Sequence, residues 1–413
     1  MKRLLLTSFP YLTILCCMII TSCQDSPEPA ASDFEKGSFG YDLQFLLQHD
    51  SVIVLKTEDE QSQVIVSPKY QAKVFTSTAT GTKGESFGWI HYKAFTEAPD
   101  PHMNAYGGEN RFWLGPEGGP YSLYFAPGTP MTFDNWHTPA PIDSEAWTLT
   151  QQSKQAVQLQ KEMQLVNYAG TSLSLRANRS ITLLESDTIN RLLDLIPDTS
   201  VKVVGYRTDN AITNTGTQAW DEKTGMPCIW MLDMFNPSEQ AVIMIPYDSN
   251  AVKAGEKIAN TGYFGEIDPA RIKYHKGVVC FRADGKSRGK MGIVPGKAKP
   301  LAGSYDAIKK ILTITFFDLD RNGKYLNQEW KTNLLPFSGD AVNAYNDGPL
   351  ADGSQMGPFY EIESVSPAAF LQPGEKMNHQ HTVLHLTGPE QYLDVIVKKL
   401  FGLSVQEIPS FQK

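Results

Sequence analysis

Short runs of strand-forming residues, separated by turn residues, recur along the chain, and this recurrence constrains its fold more than any other feature. Ser51–Lys56 (SVIVLK), Gln63–Ser67 (QVIVS), Lys73–Ser77 (KVFTS), Ser172–Leu175, Ser180–Leu184 and Val201–Arg207 open the series. Ala241–Ile245, Gly277–Arg282, Ile311–Phe317 and Phe359–Ser364 continue it. β-Branched and aromatic side chains suit a pleated, half-buried surface, while the intervening Gly, Pro, Asn and Asp suit turns. Spacings of roughly ten to twenty residues predict antiparallel sandwiches. Strand and helix do not alternate regularly, which argues against a doubly wound parallel sheet. Three stretches have a helical face: Tyr41–His49, Asp187–Ile196 and Glu390–Leu400, with Gly402 as a stop signal after the last. The expected fold class is therefore all-β, mainly antiparallel, with a few peripheral helices.

The N-terminus reads as an address. Lys2 and Arg3 precede Leu4–Ile20, an apolar stretch that is short for a spanning helix and ends at Thr21-Ser22-Cys23. Ile20-Thr21-Ser22-Cys23 resembles a bacterial lipobox, which implies cleavage before Cys23 and a lipid on its thiol. The expected division is a signal peptide over 1–22, a polar tether over 23–33 and a single β-sandwich domain over 34–413. The expected location is the bacterial outer membrane, on its periplasmic or cell-surface side, held by the N-terminal lipid. Gln24 rather than Asp follows Cys23, so inner-membrane retention is not indicated.

Charge and cysteine content narrow the partners. The chain has 37 basic and 45 acidic residues and no basic tract, which argues against nucleic acid. After loss of the signal and acylation of Cys23, only Cys228 and Cys280 remain. They lack zinc spacing, and are either two buried thiols or a disulfide.

Several segments concentrate chemistry. Gly107–Gly119 (GGENRFWLGPEGG) sets Glu109, Arg111, Trp113 and Glu117 among five glycines. Carboxylates and a guanidinium can bind hydroxyls, and an indole offers a flat face to a sugar ring; a tight hairpin with a structural ion pair is the alternative. In Arg282–Ile293 the GKSRG run matches a nucleophile-elbow pattern, but Gly289, Gly292 and Pro295 argue against the helix that elbow needs. Lys290 there sits on an apolar strand fragment and, if turned inward, needs a carboxylate or a ligand. Asn346 and Asp347 form an Asn-Asp-Gly-Pro turn. On Phe359–Ser364 the strand period puts Glu361 and Glu363 on one face, suited to acid–base work if that face lines a cleft. His379, His381 and His385 share strand parity, but without nearby Cys or acid they read as surface residues or one active-site His rather than a zinc site. Asp318, Asp320, Asn322 and Glu329 match calcium-loop spacing, whereas the strand-like flank favours a hairpin that needs no ion. No cofactor is expected beyond that weak calcium match.

Taken together, GGENRFWLGPEGG, FRADGKSRGKMGI, Gly303–Asp306, NAYNDGP and YEIESVSPAAFLQPGEKMNHQHTVLHL resemble a family of secreted Bacteroidetes lipoproteins of unknown function, whose domain is related to galactose mutarotase. The resemblance implies a galactose mutarotase-like β-supersandwich with a sugar cleft on the concave face of a large sheet. It implies Glu361 or Glu363 as base, Arg111 as substrate-binding residue and His381 as a substitute acid, since Asn210–Gly216 lacks the His usual in mutarotases. Trp89, Trp113 and Trp136 would supply aromatic faces. The expected function is carbohydrate binding, with aldose 1-epimerase-like activity; the alternative is a non-catalytic binding or accessory protein of a glycan-uptake system.

Overall fold

The computed structural model describes residues 33–409 and 411. The expected signal peptide, Cys23 and the tether up to Ser32 lie outside the described residues. Among those described, no helix is long and apolar enough to cross a membrane.

Three antiparallel sheets carry the chain. The largest has ten strands, ordered Ile272–His275, Val278–Arg282, Ala241–Pro246, Leu301–Asp306, Ile311–Phe317, Lys376–Thr387, Lys202–Asn214, Ser172–Leu183, Ala156–Val166 and Thr148–Gln152. A five-stranded sheet runs Gly289–Ile293, Val342–Asn346, Tyr360–Val365, Cys228–Phe235 and Arg111–Gly115. A third, of three strands, joins Ile53–Lys56, Gln63–Ser67 and Lys73–Thr78. The expected fold, an antiparallel β-supersandwich with few helices, is the one found.

Alternation dictates how the two large sheets meet. On Tyr360–Val365, Tyr360 and Ser364 turn toward the ten-stranded sheet, where Tyr360 meets Ser304 at 2.7 Å and Ser364 meets His379 and His381 at 2.9 and 2.8 Å. Glu361 and Glu363 take the opposite face, as a period of two requires. Phe112, Leu114, Ile229, Met231, Met291, Ala344 and Ile362 fill the inter-sheet core. The other face of the ten-stranded sheet is covered by the helices Ser186–Leu193 and Glu390–Phe401, whose Ile189, Leu193, Leu393, Ile396, Val397 and Phe401 pack on Leu312, Ile314, Leu384 and Leu386. The third helix, Phe39–Leu47, seats Phe39 and Leu46 against Ile65 and Phe75 of the small sheet.

Strand bounds are revised at this level, and readings left open are decided. The runs around 172 and 184 are one strand, Ser172–Leu183, and the run at 201 extends to Asn214. Cys228 and Cys280 are both buried free thiols, one in each large sheet. A strand, not a helix, follows the GKSRG turn. The calcium spacing does not fold into a ligand shell. Asp318 accepts the Gln380 N–H at 2.8 Å, Asp320 caps Asn322 at 3.0 Å, and Glu329 pairs with Lys331 at 2.8 Å. No group of three or more metal-ligating acids, His or Cys gathers among the described residues.

Candidate functional site

The outer face of the five-stranded sheet is the floor of a cleft, so the expected position on the large sheet is corrected. Strand alternation delivers the floor: Arg111 and Trp113 from one strand, Trp230, Leu232 and Met234 from the next, then Glu361, Tyr345 and Lys290. These enclose a hollow of about 130 Å³ that opens into a cavity of about 750 Å³.

Two ion pairs tie the floor together. Arg111 Nη2 pairs with Glu361 Oε1, and Lys290 Nζ pairs with Glu363 Oε2 at 2.8 Å. The Trp230 indole N–H donates to the same Glu363 oxygen at 2.8 Å. The cations also lie over rings, Arg111 at 5.1 Å from the Trp113 centroid and Lys290 at 4.7 Å from that of Trp230. Lys290 thus meets the condition set by its sequence position, a carboxylate partner for an inward-turned amine. Glu363 is fully buried beneath the floor, where it anchors Lys290 and Trp230 rather than lining the hollow.

Glu361 is the floor group whose chemistry is most altered. Burial pushes its carboxyl up to about 8, against the pull of Arg111, and the neighbouring Glu363 adds to the rise. Burial also raises Glu117, which Lys290 and a hydrogen bond from Trp330 draw back down. Glu117 follows the floor strand directly. Its N–H donates to Gln328 Oε1 at 2.6 Å, and a Cβ on Gly118 would stand 2.1 Å from the Glu329 carbonyl, so glycine permits the close approach of these two loops. Glu117 and Glu361 both line the hollow and both hold a proton more tightly than an ordinary carboxyl. A carboxyl raised as far as Glu361 can give and take a proton near neutral pH.

Other expected residues fall elsewhere. Glu109 is on the inter-sheet face, accepting from Ser77 at 2.7 Å and meeting His385 Nε2 at 3.0 Å, so it is not a cleft residue. His381 faces the same interior. Its Nε2 lies 2.7 Å from Asp233 and its Nδ1 2.8 Å from Ser364. Ser364, His381 and Asp233 are all fully buried and line none of the described cavities, so this row joins the sheets and cannot act as the acid of a cleft on the other face. None of the three histidines is at the surface. Asn346 accepts the Gly285 N–H at 2.9 Å and donates to the Ser287 carbonyl at 2.9 Å, holding a turn rather than a ligand. Trp89 packs on Phe359 at 4.7 Å behind the cleft. Asp347 does reach the larger cavity, where Tyr345 donates to it at 2.7 Å.

Trp330, Tyr263, Phe264, Arg288 and Phe133 also line the cleft and were not singled out from sequence. They come from loops, where no periodicity marks them. Glu329, picked out only by the weak calcium-loop spacing, lines the cavity.

Fold and site together define an antiparallel β-sandwich with a carboxyl-, cation- and tryptophan-lined cleft on its smaller sheet. The chain belongs to the family of unknown function DUF6786, whose model matches residues 37–412. No curated protein matches it by sequence. Among solved structures it is similar to the Slr1438 protein of Synechocystis sp. PCC 6803, at 12% identity and a TM-score of 0.51, over 82% of this chain and 96% of that one. A candidate aldose 1-epimerase of Escherichia coli K12 aligns at 12% identity and a TM-score of 0.47, over 82% and 99%. A galactose mutarotase-like protein of Lactobacillus casei aligns at 10% and 0.45, over 81% and 100%. At these identities the likeness is one of fold.

Proposed function

We propose that the protein binds carbohydrate in the cleft over the five-stranded sheet, with Glu361 as the group able to exchange a proton with the bound sugar. The observation that carries this reading is the floor itself. Trp113 and Trp230 line the hollow beside Glu361, Arg111 and Lys290, which sets apolar and hydroxyl-binding groups side by side, and sugars present apolar ring faces edged by hydroxyls. One buried floor atom, Arg111 Nε, has no hydrogen-bond partner. A hydroxyl oxygen is a group that can accept from it.

Aldose 1-epimerase-like chemistry moves a proton off the anomeric hydroxyl and another onto the ring oxygen. A carboxyl near 8 is suited to the first step, and Glu117 is the second raised carboxyl on the same hollow. The Arg111–Glu361 ion pair favours a second reading, in which both groups only grip hydroxyls. Saturation-transfer NMR of the full chain against a panel of monosaccharides separates the two. Catalysis requires binding with accelerated anomer exchange, reduced about 10²- to 10⁴-fold in Glu361→Gln while binding persists. Binding without exchange leaves the non-catalytic reading, and no binding to any sugar overturns both.

We also propose that Cys23 carries a lipid that tethers the chain to the outer membrane. Ile20-Thr21-Ser22-Cys23 after the Lys2-Arg3 leader supports this. The mass of the mature N-terminal peptide tests it; an unmodified Cys23 would contradict it.

A further inference from the structure

We infer that the cleft takes a carbohydrate chain of two or more units, with a second subsite in the outer cavity, beyond the shared rings of Phe133 and Trp330 and edged by Glu97, Asn104, Lys331 and Leu350. The inference rests on the carbohydrate reading above and extends it.

Space is the first ground. The hollow over Glu361 is about 130 Å³ and the cavity it opens into about 750 Å³. The two share Glu117, Phe133, Trp136, Phe264, Lys290 and Trp330 among their walls, so they are one continuous space. The larger part is of the size that encloses a ligand of many heavy atoms, about 300–1,000 Å³, well beyond what one ring over the floor would fill.

The aromatic lining is the second ground, because it does not stop at the floor. Trp113 and Trp230 meet edge to face at 5.7 Å and line the inner hollow alone. Above them Trp136 and Trp330 stack at 5.9 Å and 24°. Phe133 continues that layer at 6.1 Å and 20° from Trp136. Phe133, Trp136 and Trp330 line both the hollow and the outer cavity, so the aromatic layer runs from one space into the next, as two consecutive sugar rings need.

Exposure is the third ground. Phe133 and Phe264 are 58% and 42% exposed, and Leu350 and Met356 at the same rim are 45% and 38% exposed. Apolar side chains left in water and gathered at one mouth mark a surface that a ligand covers. Arg288, 3.9 Å above the Phe264 ring, brings a guanidinium to the same place. His91, Glu97, Asp100, Asn104 and Lys331 line the larger cavity and not the inner hollow. These polar groups fit the hydroxyls of an outer unit and do not fit a purely apolar ligand.

Calorimetric titration of the full chain with glucose, galactose and mannose, and with their linear oligomers of two to five units, tests the inference. For at least one series, affinity should rise about tenfold or more from one unit to three and then level off. Leu350→Ala and Lys331→Ala, at residues that line the outer cavity and not the inner hollow, should each weaken the trimer roughly three- to tenfold and leave the monosaccharide unchanged. Both side chains are half in water, so neither substitution removes core packing. Equal affinity at every length, or rim variants that weaken mono- and oligosaccharides alike, would overturn the outer subsite while leaving the carbohydrate reading intact. No binding of any sugar would overturn both.

Discussion

Glu361 shows how a sheet gives a carboxyl unusual chemistry. Its strand neighbours Tyr360 and Ile362 turn into the core, so the side chain points to the cleft but remains 7% exposed. Burial outweighs the Arg111 guanidinium, and the carboxyl rises from 4.5 to about 8. The sign of the linkage follows. The folded chain holds this proton and the unfolded one releases it near 4.5, so the associated stability is fully present below that pH. It is lost as pH rises through about 8. Glu361→Gln never ionises, so its Tm relative to the parent should improve between pH 5 and pH 8, by an amount reflecting a few kcal/mol at most. A Tm difference that is flat across that range, or that moves the other way, would show the carboxyl to be ionised throughout.

At the scale of elements, the strand Lys376–Thr387 shows what sequence could and could not reveal. The parity of His379, His381 and His385 was legible, and all three share the inter-sheet face. Which sheet would cover that face was not, because the packing of one sheet on the other brings His381 to Asp233 across 148 positions of chain. His381→Ala removes one side of a buried hydrogen-bonded pair and leaves Asp233 with less compensation. A loss on the order of 2–4 kcal/mol is expected, with ligand affinity unchanged once the protein is folded. A folded variant that has lost sugar binding, with little change in Tm, would return His381 to the site. The same limit applied elsewhere. Gln63–Ser67 and Ile311–Phe317 were readable to the residue because their apolar runs are continuous. Ser172–Leu183 was read as two strands, because its middle carries Arg176, Asn178 and Arg179 although its burial alternates cleanly.

For the whole molecule, the fold class and half of the cleft were legible, and the reason is the same for both. Floor residues sit on strands, where period and composition speak: Arg111, Trp113, Lys290 and Glu361 were all singled out and all converge. Wall residues sit on loops brought in from distant parts of the chain, and Trp330, Tyr263 and Phe264 carry no local pattern. The choice of sheet was also illegible. The wide ten-stranded sheet uses one face for the inter-sheet core and the other for helices, which leaves the outer face of the five-stranded sheet as the one open to a ligand.

Four of the seven tryptophans, Trp113, Trp136, Trp230 and Trp330, line this cleft, so their emission reports directly on what enters it. The most direct measurement is a fluorescence titration of the full chain with the same mono- and oligosaccharides. Occupation of the cleft requires a saturable change in emission at the concentrations where binding is seen by NMR, shifted to weaker binding in Trp330→Ala. Sugar binding that leaves the emission unchanged would place the ligand elsewhere on the molecule, and no response to any sugar together with no binding would contradict the carbohydrate assignment itself.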